Sequence, residues 1–553
     1  MAMKSSDQTQ KRFFSGVLLL TLSTVSVKVL GLIYKIPMLA FLGAEGMGYF
    51  NSAYEIYALF CVISTAGLPV AVSVLISGAI ARGEGNSVDR IYRASLIVFL
   101  TIGVLGSGAM LLFARHLCNL IQSDLAYLSM ISIAPTVLLI CISSAIRGYF
   151  QGHQQMLPTA ISQLIESLGK LIFGLGLASY AVEKGYDIPV VAAYAGIGLS
   201  LGTLLSVLYL AIKKMLFSLQ KPQKVLFLPT YRSVWKSLAI LAVPMTLGAS
   251  MVSVTKLVDM TMVLRRLQSI GYTEALANEA YGSYTTLALS VFGLIPTLLN
   301  AIALPLIPML SGAIAEKNQP KQKLMIGMTY RLTAIFSIPA ALALSAFARP
   351  ILLLLFGHDP SAVSTAAPLL SYLGVSVFLS CMITATNSVL HAYQIVNRPI
   401  LAMLAGAVVK MISAYFLIGN PSIGILGAPI STFLCNLVIV LLNLSFASRL
   451  YDVDRLLGFF VRPLVAATGA VGLGAFAYRL ALRWGVGEGL LLLPVLGGVA
   501  ILYFILACRI GAITQSDMLA MPFGTPITRF LRKIRLIKEK PQVFGGDGKD
   551  LSL

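Results

Sequence analysis

Two lysines, Lys28 and Lys35, sit inside an unbroken apolar run from Phe13 to Leu42. Seven residues is almost two turns of a helix, so both ammonium groups point the same way, about 10 Å apart along the axis. Gly31 lies on the same face and leaves room beside Lys28. A lysine well inside a hydrocarbon-embedded helix costs at least ~2.5 kcal/mol, so it should face a wet cavity or a partner rather than lipid. Snorkelling to the nearer interface is the other outcome, easy for Lys35 near one end of the run and hard for Lys28 near its middle.

Six further ionisable residues fall within apolar runs: Glu55, Glu166, Lys170, Lys256, Asp259 and Lys410. With Lys28 and Lys35 this makes five basic groups against three acidic, an interior that tilts positive. Glu166 and Lys170 stand at i,i+4 with the acid first, the favourable order for a self-satisfied helical pair. Lys256 and Asp259 stand at i,i+3. Either they neutralise each other, or Asp259 holds a coupling cation while Lys256 meets substrate. Lys410, beside Gly406, has no acid nearby in sequence and is expected to line a cavity. Glu55, flanked by Tyr54 and Tyr57, has the surroundings of an interfacial residue. Arg147 closes its run where phosphate docking and ordinary loop placement are both open. Fixed cations in a low-dielectric site select anions. Lysine, a point charge rather than a fork, suits a pyrophosphate that must later be released.

The elements that must position these groups are membrane helices. Of the 553 residues 58% are hydrophobic and 11% charged, against about 25% charged in a soluble domain. The apolar runs are continuous, not alternating, which excludes a β-barrel. The expected class is an all-α polytopic membrane protein. Cuts at charged and Gly/Pro-rich breaks give fourteen spans, near 13–42, 51–80, 91–114, 126–150, 158–182, 189–212, 235–264, 281–312, 330–356, 363–390, 399–418, 424–448, 462–483 and 488–510. Basic residues collect at even-numbered exits, for instance Lys213, Lys214, Lys221 and Lys224, so both termini are expected in the cytoplasm of a multi-pass cell-membrane protein. Arg265 and Arg266 break that pattern. The net charge of +20 then follows from positive-inside loops and anionic lipid, with no need of nucleic acid. No cleavable signal is expected, because the first run is too long.

The chain repeats itself. Ser-Gly-Ala-Ile-Ala occurs at 77–81 and again at 311–315, ending spans 2 and 8. Pro158 precedes Lys170 by twelve residues and Pro399 precedes Lys410 by eleven. Two copies of a six-helix unit are expected, 1–212 and 235–450, related in parallel around a central cavity. A connector spans 213–234, two added helices lie within 451–510, and a basic cytoplasmic tail fills 511–553.

Soluble-enzyme chemistry is missing. No Gly-x-x-x-x-Gly-Lys-Ser/Thr loop is present, so any energy source is expected to be an ion gradient (Na+ or H+), the membrane potential or the gradient of a substrate itself. The four histidines show no ligand spacing, so no metal and no cofactor is expected. The six cysteines are scattered through apolar runs and read as small buried residues.

Several stretches look familiar: Lys28-Val-Leu-Gly-Leu-Ile-Tyr-Lys35-Ile-Pro, Leu-Gly-Ala-Glu-Gly-Met-Gly-Tyr at 42–49, Ser-Thr-Ala-Gly-Leu-Pro-Val-Ala-Val-Ser at 64–73, and Arg147-Gly-Tyr-Phe-Gln-Gly-His-Gln-Gln-Met-Leu-Pro. With Leu417-Ile-Gly-Asn-Pro-Ser-Ile-Gly-Ile-Leu-Gly-Ala, they resemble the SpoVB-type polysaccharide biosynthesis proteins of Gram-positive bacteria. These belong to the multidrug/oligosaccharidyl-lipid/polysaccharide exporter superfamily and are similar to MurJ-like lipid II flippases. The resemblance implies a V-shaped exporter of fourteen helices. Such a protein moves an undecaprenyl-pyrophosphate-linked saccharide (lipid II or a spore or surface polysaccharide precursor) from inner to outer leaflet. It also implies cell-wall or spore-cortex synthases as partners, a cavity role for Lys28, a sodium site pointing to Asp259, and a groove for the prenyl tail beside the last two helices. The arginine that MurJ-like proteins carry in span 2 has no counterpart between Ser73 and Ser77. Two rival expectations stand beside the flippase. One is a cation-coupled multidrug antiporter of the MATE type, the other a scaffold that recruits synthases through Arg529 to Lys540.

Overall fold

The computed structural model describes residues 2–217, 229–303, 306–395, 397–447, 454–484 and 488–513. Among them every regular element is helical. This is what long apolar runs require, since a backbone in hydrocarbon must satisfy its polar groups within its own segment. The chain opens with α1 (Ala2–Thr65), α2 (Leu68–Ala81), α3 (Gly85–Leu112), α4 (Ala114–Ile121), α5 (Tyr127–Gly152), α6 (Leu157–Glu183) and α7 (Ile188–Phe217). Next come α8 (Tyr231–Ser269), α9 (Glu274–Gly282), α10 (Leu289–Ala303), α11 (Leu306–Ala315), α12 (Gln319–Ala346) and α13 (Ala348–Phe356). Then follow α14 (Pro360–Ala392), α15 (Asn397–Ile418), α16 (Gly427–Ala447), α17 (Asp454–Arg483) and α18 (Glu488–Ile510).

Eleven helical stretches among the described residues are long and apolar enough to cross a membrane, against the fourteen expected. The difference has physical reasons. Spans 1 and 2 are continuous in one stretch, Ser23–Ala81. The seventh falls in α8, whose apolar face is interrupted by Lys256, Asp259, Arg265 and Arg266. The eighth is divided among α9, a π-helical turn at Ser283–Ala288, α10 and α11. The basic tail at 514–553, Arg529 to Lys540 included, lies outside the described residues, as does most of the connector, 218–228.

α1 is two helices joined at Gly43, whose φ of 64° and ψ of 177° are not helical. Lys35 and Asn51, eight residues to either side of it, both bond Thr285. The Tyr34 and Phe50 rings lie 6.4 Å apart, centroid to centroid. An unbroken helix would hold residues 35 and 51 ~24 Å apart, so the chain reverses at Gly43. A positive φ at this point is one that glycine reaches without steric cost. The two arms, 2–42 and 44–65, therefore share neighbours on either side of Gly43.

At the Gly43 end of the molecule α1 is pressed against α9. The α-carbon of Gly48 abuts the backbone carbonyl of Asn278, and that of Gly282 abuts the carbonyl of Ala44, with no space for a Cβ at either position. Ser123 donates to Asn278 at 3.1 Å and the Leu125 amide donates to Glu274 at 3.0 Å. The Gln268 amide and the Arg265 guanidinium donate to the carbonyls of Gln122 and Leu120. Buried Tyr49, Phe50, Tyr281 and Tyr284 fill the core behind this seam.

Element bounds recur along the chain. α3 and α12 are each 28 residues long and start at 85 and 319. α2 and α11 both end on the Ser-Gly-Ala-Ile-Ala sequence. Left-handed backbone follows at Gly83 and Lys317, and again at Gln154 and Gln394.

Candidate functional site

A cavity of about 460 Å³ lies between the two arms of α1, the middle of α6, the C-terminal half of α8, and the wall formed by the π turn and α10. Its charged lining is Lys28, Lys35, Lys170, Lys256, Glu55 and Asp259. Lysines thus outnumber carboxylates by four to two on this surface.

Lys28 and Lys35 reach across the cavity to the facing wall. The Lys28 ammonium donates to the Thr297 hydroxyl at 2.9 Å, and that hydroxyl donates to the Gly293 carbonyl at 2.8 Å. The Lys35 ammonium donates to the Ser290 hydroxyl at 2.8 Å and to the Thr285 carbonyl at 3.3 Å. That carbonyl is available because of the π turn. The Leu289 amide bonds the Tyr284 carbonyl instead of the Thr285 one, which then accepts from Lys35 and from the Ser290 hydroxyl at 3.2 Å. π turns of this kind concentrate at functional sites. Asn51, on the second arm, fixes the same turn by donating to the hydroxyls of Thr285 and Thr286 at 2.9 and 2.8 Å.

Lys170 does not pair with Glu166, as the i,i+4 spacing suggested. Its ammonium sits over the rings of Tyr34, Tyr54 and Phe50, at 4.6, 4.9 and 5.7 Å from their centroids. A cation over an aromatic face is held by the ring quadrupole, more strongly where water is scarce. Glu166 instead takes the Arg147 guanidinium at 2.8 Å. Arg147 is buried, and its other donors reach the hydroxyls of Ser162 and Ser206 at 2.9 and 3.2 Å. Three of the five guanidinium donors of Arg147 are thus engaged by α6 and α7. The guanidinium outcompetes Lys170 because it can reach three acceptors at once from a facing helix.

Of the two arrangements open to Lys256 and Asp259, the local pair does not form, and Asp259 pairs between helices instead. Asp259 on α8 takes the Lys410 ammonium of α15 at 3.0 Å. Lys410 is therefore not on the main cavity but in a narrow crevice shared with Asp259, Met262 and Ala414. The second oxygen of Asp259 is buried with no hydrogen-bond partner. Lys256 projects into the cavity and forms no ion pair among the described residues. Glu55 is half-buried in the cavity wall.

The residues that sequence reasoning passed over are the lysines' acceptors, Thr285, Ser290 and Thr297, and the donor Asn51 that holds the turn. A signal was present, since Thr285, Ser290 and Thr297 recur at five and seven residues along an otherwise apolar run. Of the six cysteines, all are free, five buried and Cys61 half-buried.

The chain can now be set beside known proteins. Stage V sporulation protein B of Bacillus subtilis (strain 168) is 24% identical over 519 residues, which is 93% of this chain and 98% of that protein. Lipid II flippase MurJ of the same organism is 24% identical over 424 residues, 72% of this chain and 76% of its own length. Among solved structures, lipid II flippase MurJ in an inward closed conformation superposes with a TM-score of 0.68 at 15% identity, covering 89% of this chain and 98% of that one. An inward-facing multidrug resistance MATE transporter of the MOP superfamily superposes with a TM-score of 0.59 at 15% identity, covering 77% and 98%. These likenesses establish the fold as the polytopic helical one of that superfamily. A MatE family model matches residues 244–416. The model described as polysaccharide biosynthesis protein matches residues 13–313, more than half of the chain, and both walls of the lysine-lined cavity fall within it. The chain is a member of the polysaccharide biosynthesis protein family.

Proposed function

We propose that this chain is a flippase that carries a lipid-linked saccharide, attached through pyrophosphate to an undecaprenyl chain, from the inner to the outer leaflet by alternating access. One observation carries the reading. Four lysines face a single membrane-embedded cavity, and of its two carboxylates Asp259 is already neutralised by Lys410. Uncompensated cations in such a place favour an anionic head group. The relatives named lipid II flippase and sporulation protein support the substrate class, a lipid II-like or spore or surface polysaccharide precursor. In this reading the chain transports and does no covalent chemistry, and wall or cortex synthases receive its product.

The recurring element bounds support two six-helix halves, 1–212 and 235–450, followed by the added pair α17 and α18. Both ends of the chain lie in the cytoplasm, and the Gly43 seam is the outer closure. An Na+ or H+ gradient or the membrane potential supplies the direction.

Purified protein in proteoliposomes tests the proposal by leaflet transfer of a fluorescent polyprenyl-pyrophosphate saccharide. Native mass spectrometry of the protein from its own membrane should carry a bound pyrophosphate lipid. Absence of transfer by the wild type, or transfer unaltered in Lys28→Ala, would refute it. The MatE match over 244–416 favours a second reading, a cation-coupled drug antiporter. Uptake of a cationic dye driven by an Na+ or H+ gradient, with no lipid transfer, would favour it instead.

A further inference from the structure

The two lysine contacts form a register. Lys28 meets Thr297 and Lys35 meets Ser290, so a step of seven residues along α1 is matched by a step of seven in the opposite sense along α10. The first arm of α1 and α10 thus run antiparallel, joined by two hydrogen-bonded rungs of 2.9 and 2.8 Å. Each rung uses an ammonium, the group best suited to an anion, on a neutral hydroxyl.

We propose that these rungs are a latch opened by a pyrophosphate group. Ser290 and Thr297 are positioning residues. They hold the ammonium groups and, through them, keep α10 against α1. This inference rests on the flippase reading and adds how substrate recognition is coupled to movement.

The physical basis is an exchange of partners. A hydrogen bond from an ammonium to an ionised oxygen is roughly twice as strong as one to a neutral acceptor. A phosphate offered to Lys28 and Lys35 therefore competes for them with Thr297 and Ser290. Both hydroxyls retain acceptors on their own helix, the Gly293 and Thr285 carbonyls, so neither is left without a partner. The α10 wall is then free to separate from α1. A ligand shifts a conformational equilibrium only by its differential affinity for the two states, and an anion that binds only where the rungs are broken supplies that difference.

The test is isothermal titration of the full-length protein in detergent, with inorganic pyrophosphate and, separately, with a short polyisoprenyl pyrophosphate. The variants are Ser290→Ala with Thr297→Val, Thr297→Ser alone, and Lys28→Ala with Lys35→Ala. Removing both hydroxyls should tighten binding of the pyrophosphate group, by roughly fivefold for each bond that no longer has to be broken. Thr297→Ser keeps a hydroxyl and should bind as the wild type does, which a merely structural role for the side chain would not require. Tighter binding of the lipid form than of the inorganic ion assigns the source to lipid, and equal binding assigns recognition to the pyrophosphate alone. Both support the latch if the hydroxyl-free protein gains. Unchanged or weaker binding in that variant, with wild-type binding intact and lost in the double lysine variant, overturns the latch alone. Wild-type binding that survives loss of both lysines overturns the flippase site itself.

Discussion

The Asp259 carboxylate and the Lys410 ammonium meet at 3.0 Å, joining α8 to α15 across 151 positions of sequence. Each side chain is mostly buried, with 12% and 15% of its surface exposed. Breaking such a pair strands one charge, which typically costs about 3–5 kcal/mol, whereas removing both can be nearly neutral. Lys410→Met should therefore lower the temperature at which the detergent-solubilised protein loses its monodisperse elution peak. Adding Asp259→Asn should restore most of it. A double variant no better than Lys410→Met would mean that the pair is not what holds these helices.

Lys28→Ala should reduce lipid transfer by tenfold to a hundredfold, about the worth of one hydrogen bond to a charged group, while the melting behaviour stays near that of the wild type. Lys28→Arg should retain part of the activity, since the charge remains but its planar fork fits the Thr297 side differently. Initial rates in proteoliposomes, normalised to reconstituted protein, provide the comparison.

Arg147 should behave in the opposite way. Arg147→Lys cannot reach Glu166, Ser162 and Ser206 together, and it leaves a buried acceptor unmet. A loss of about 1–3 kcal/mol of stability is expected, with any change in transfer following from the reduced amount of folded protein. Glu166→Gln should destabilise in the same sense. Thermal unfolding and transfer rate per folded molecule, measured on one preparation, separate this residue from Lys28.

Gly282→Ala tests the seam. A methyl group there would overlap the Ala44 carbonyl, so α9 and the reversal at Gly43 must part. Labelling by a membrane-impermeant thiol reagent of a cysteine introduced at Ser123 should increase several-fold in the Gly282→Ala background, as a hydroxyl fully buried beneath Asn278 becomes reachable. Unaltered labelling would place the opening elsewhere.

Some of this was legible in the sequence and some was not, for identifiable reasons. The class of fold follows from continuous apolar runs, because hydrocarbon leaves the backbone few alternatives. That Lys28 and Lys35 share a face follows from their spacing alone. The interhelical partners of Glu166, Asp259 and Lys410 lie beyond the i,i+3 and i,i+4 rules, which rank only residues on the same helix. In a bundle the facing helix competes, and Arg147 and Lys410 stand closer to the two acids than their sequence neighbours do. The π turn at Ser283–Ala288 leaves no compositional mark, and so the Thr285 carbonyl could not be anticipated as an acceptor. Lys170 was assigned to an acid because a triad of rings drawn from both arms of α1 becomes visible only once the chain has turned back on itself.

That turning back has a consequence for how the protein can change over time. Connections between helices ordinarily tolerate insertions and deletions. Here the helix runs right up to Gly43 from either side, and Lys35 and Asn51 both bond the one residue Thr285. Adding a single amino acid anywhere between them would rotate one arm by about 100° against the other, carrying either the lysine or the asparagine off that residue. This one-residue link should therefore be among the least variable in length, with Gly43 and Gly48 held as glycine inside it.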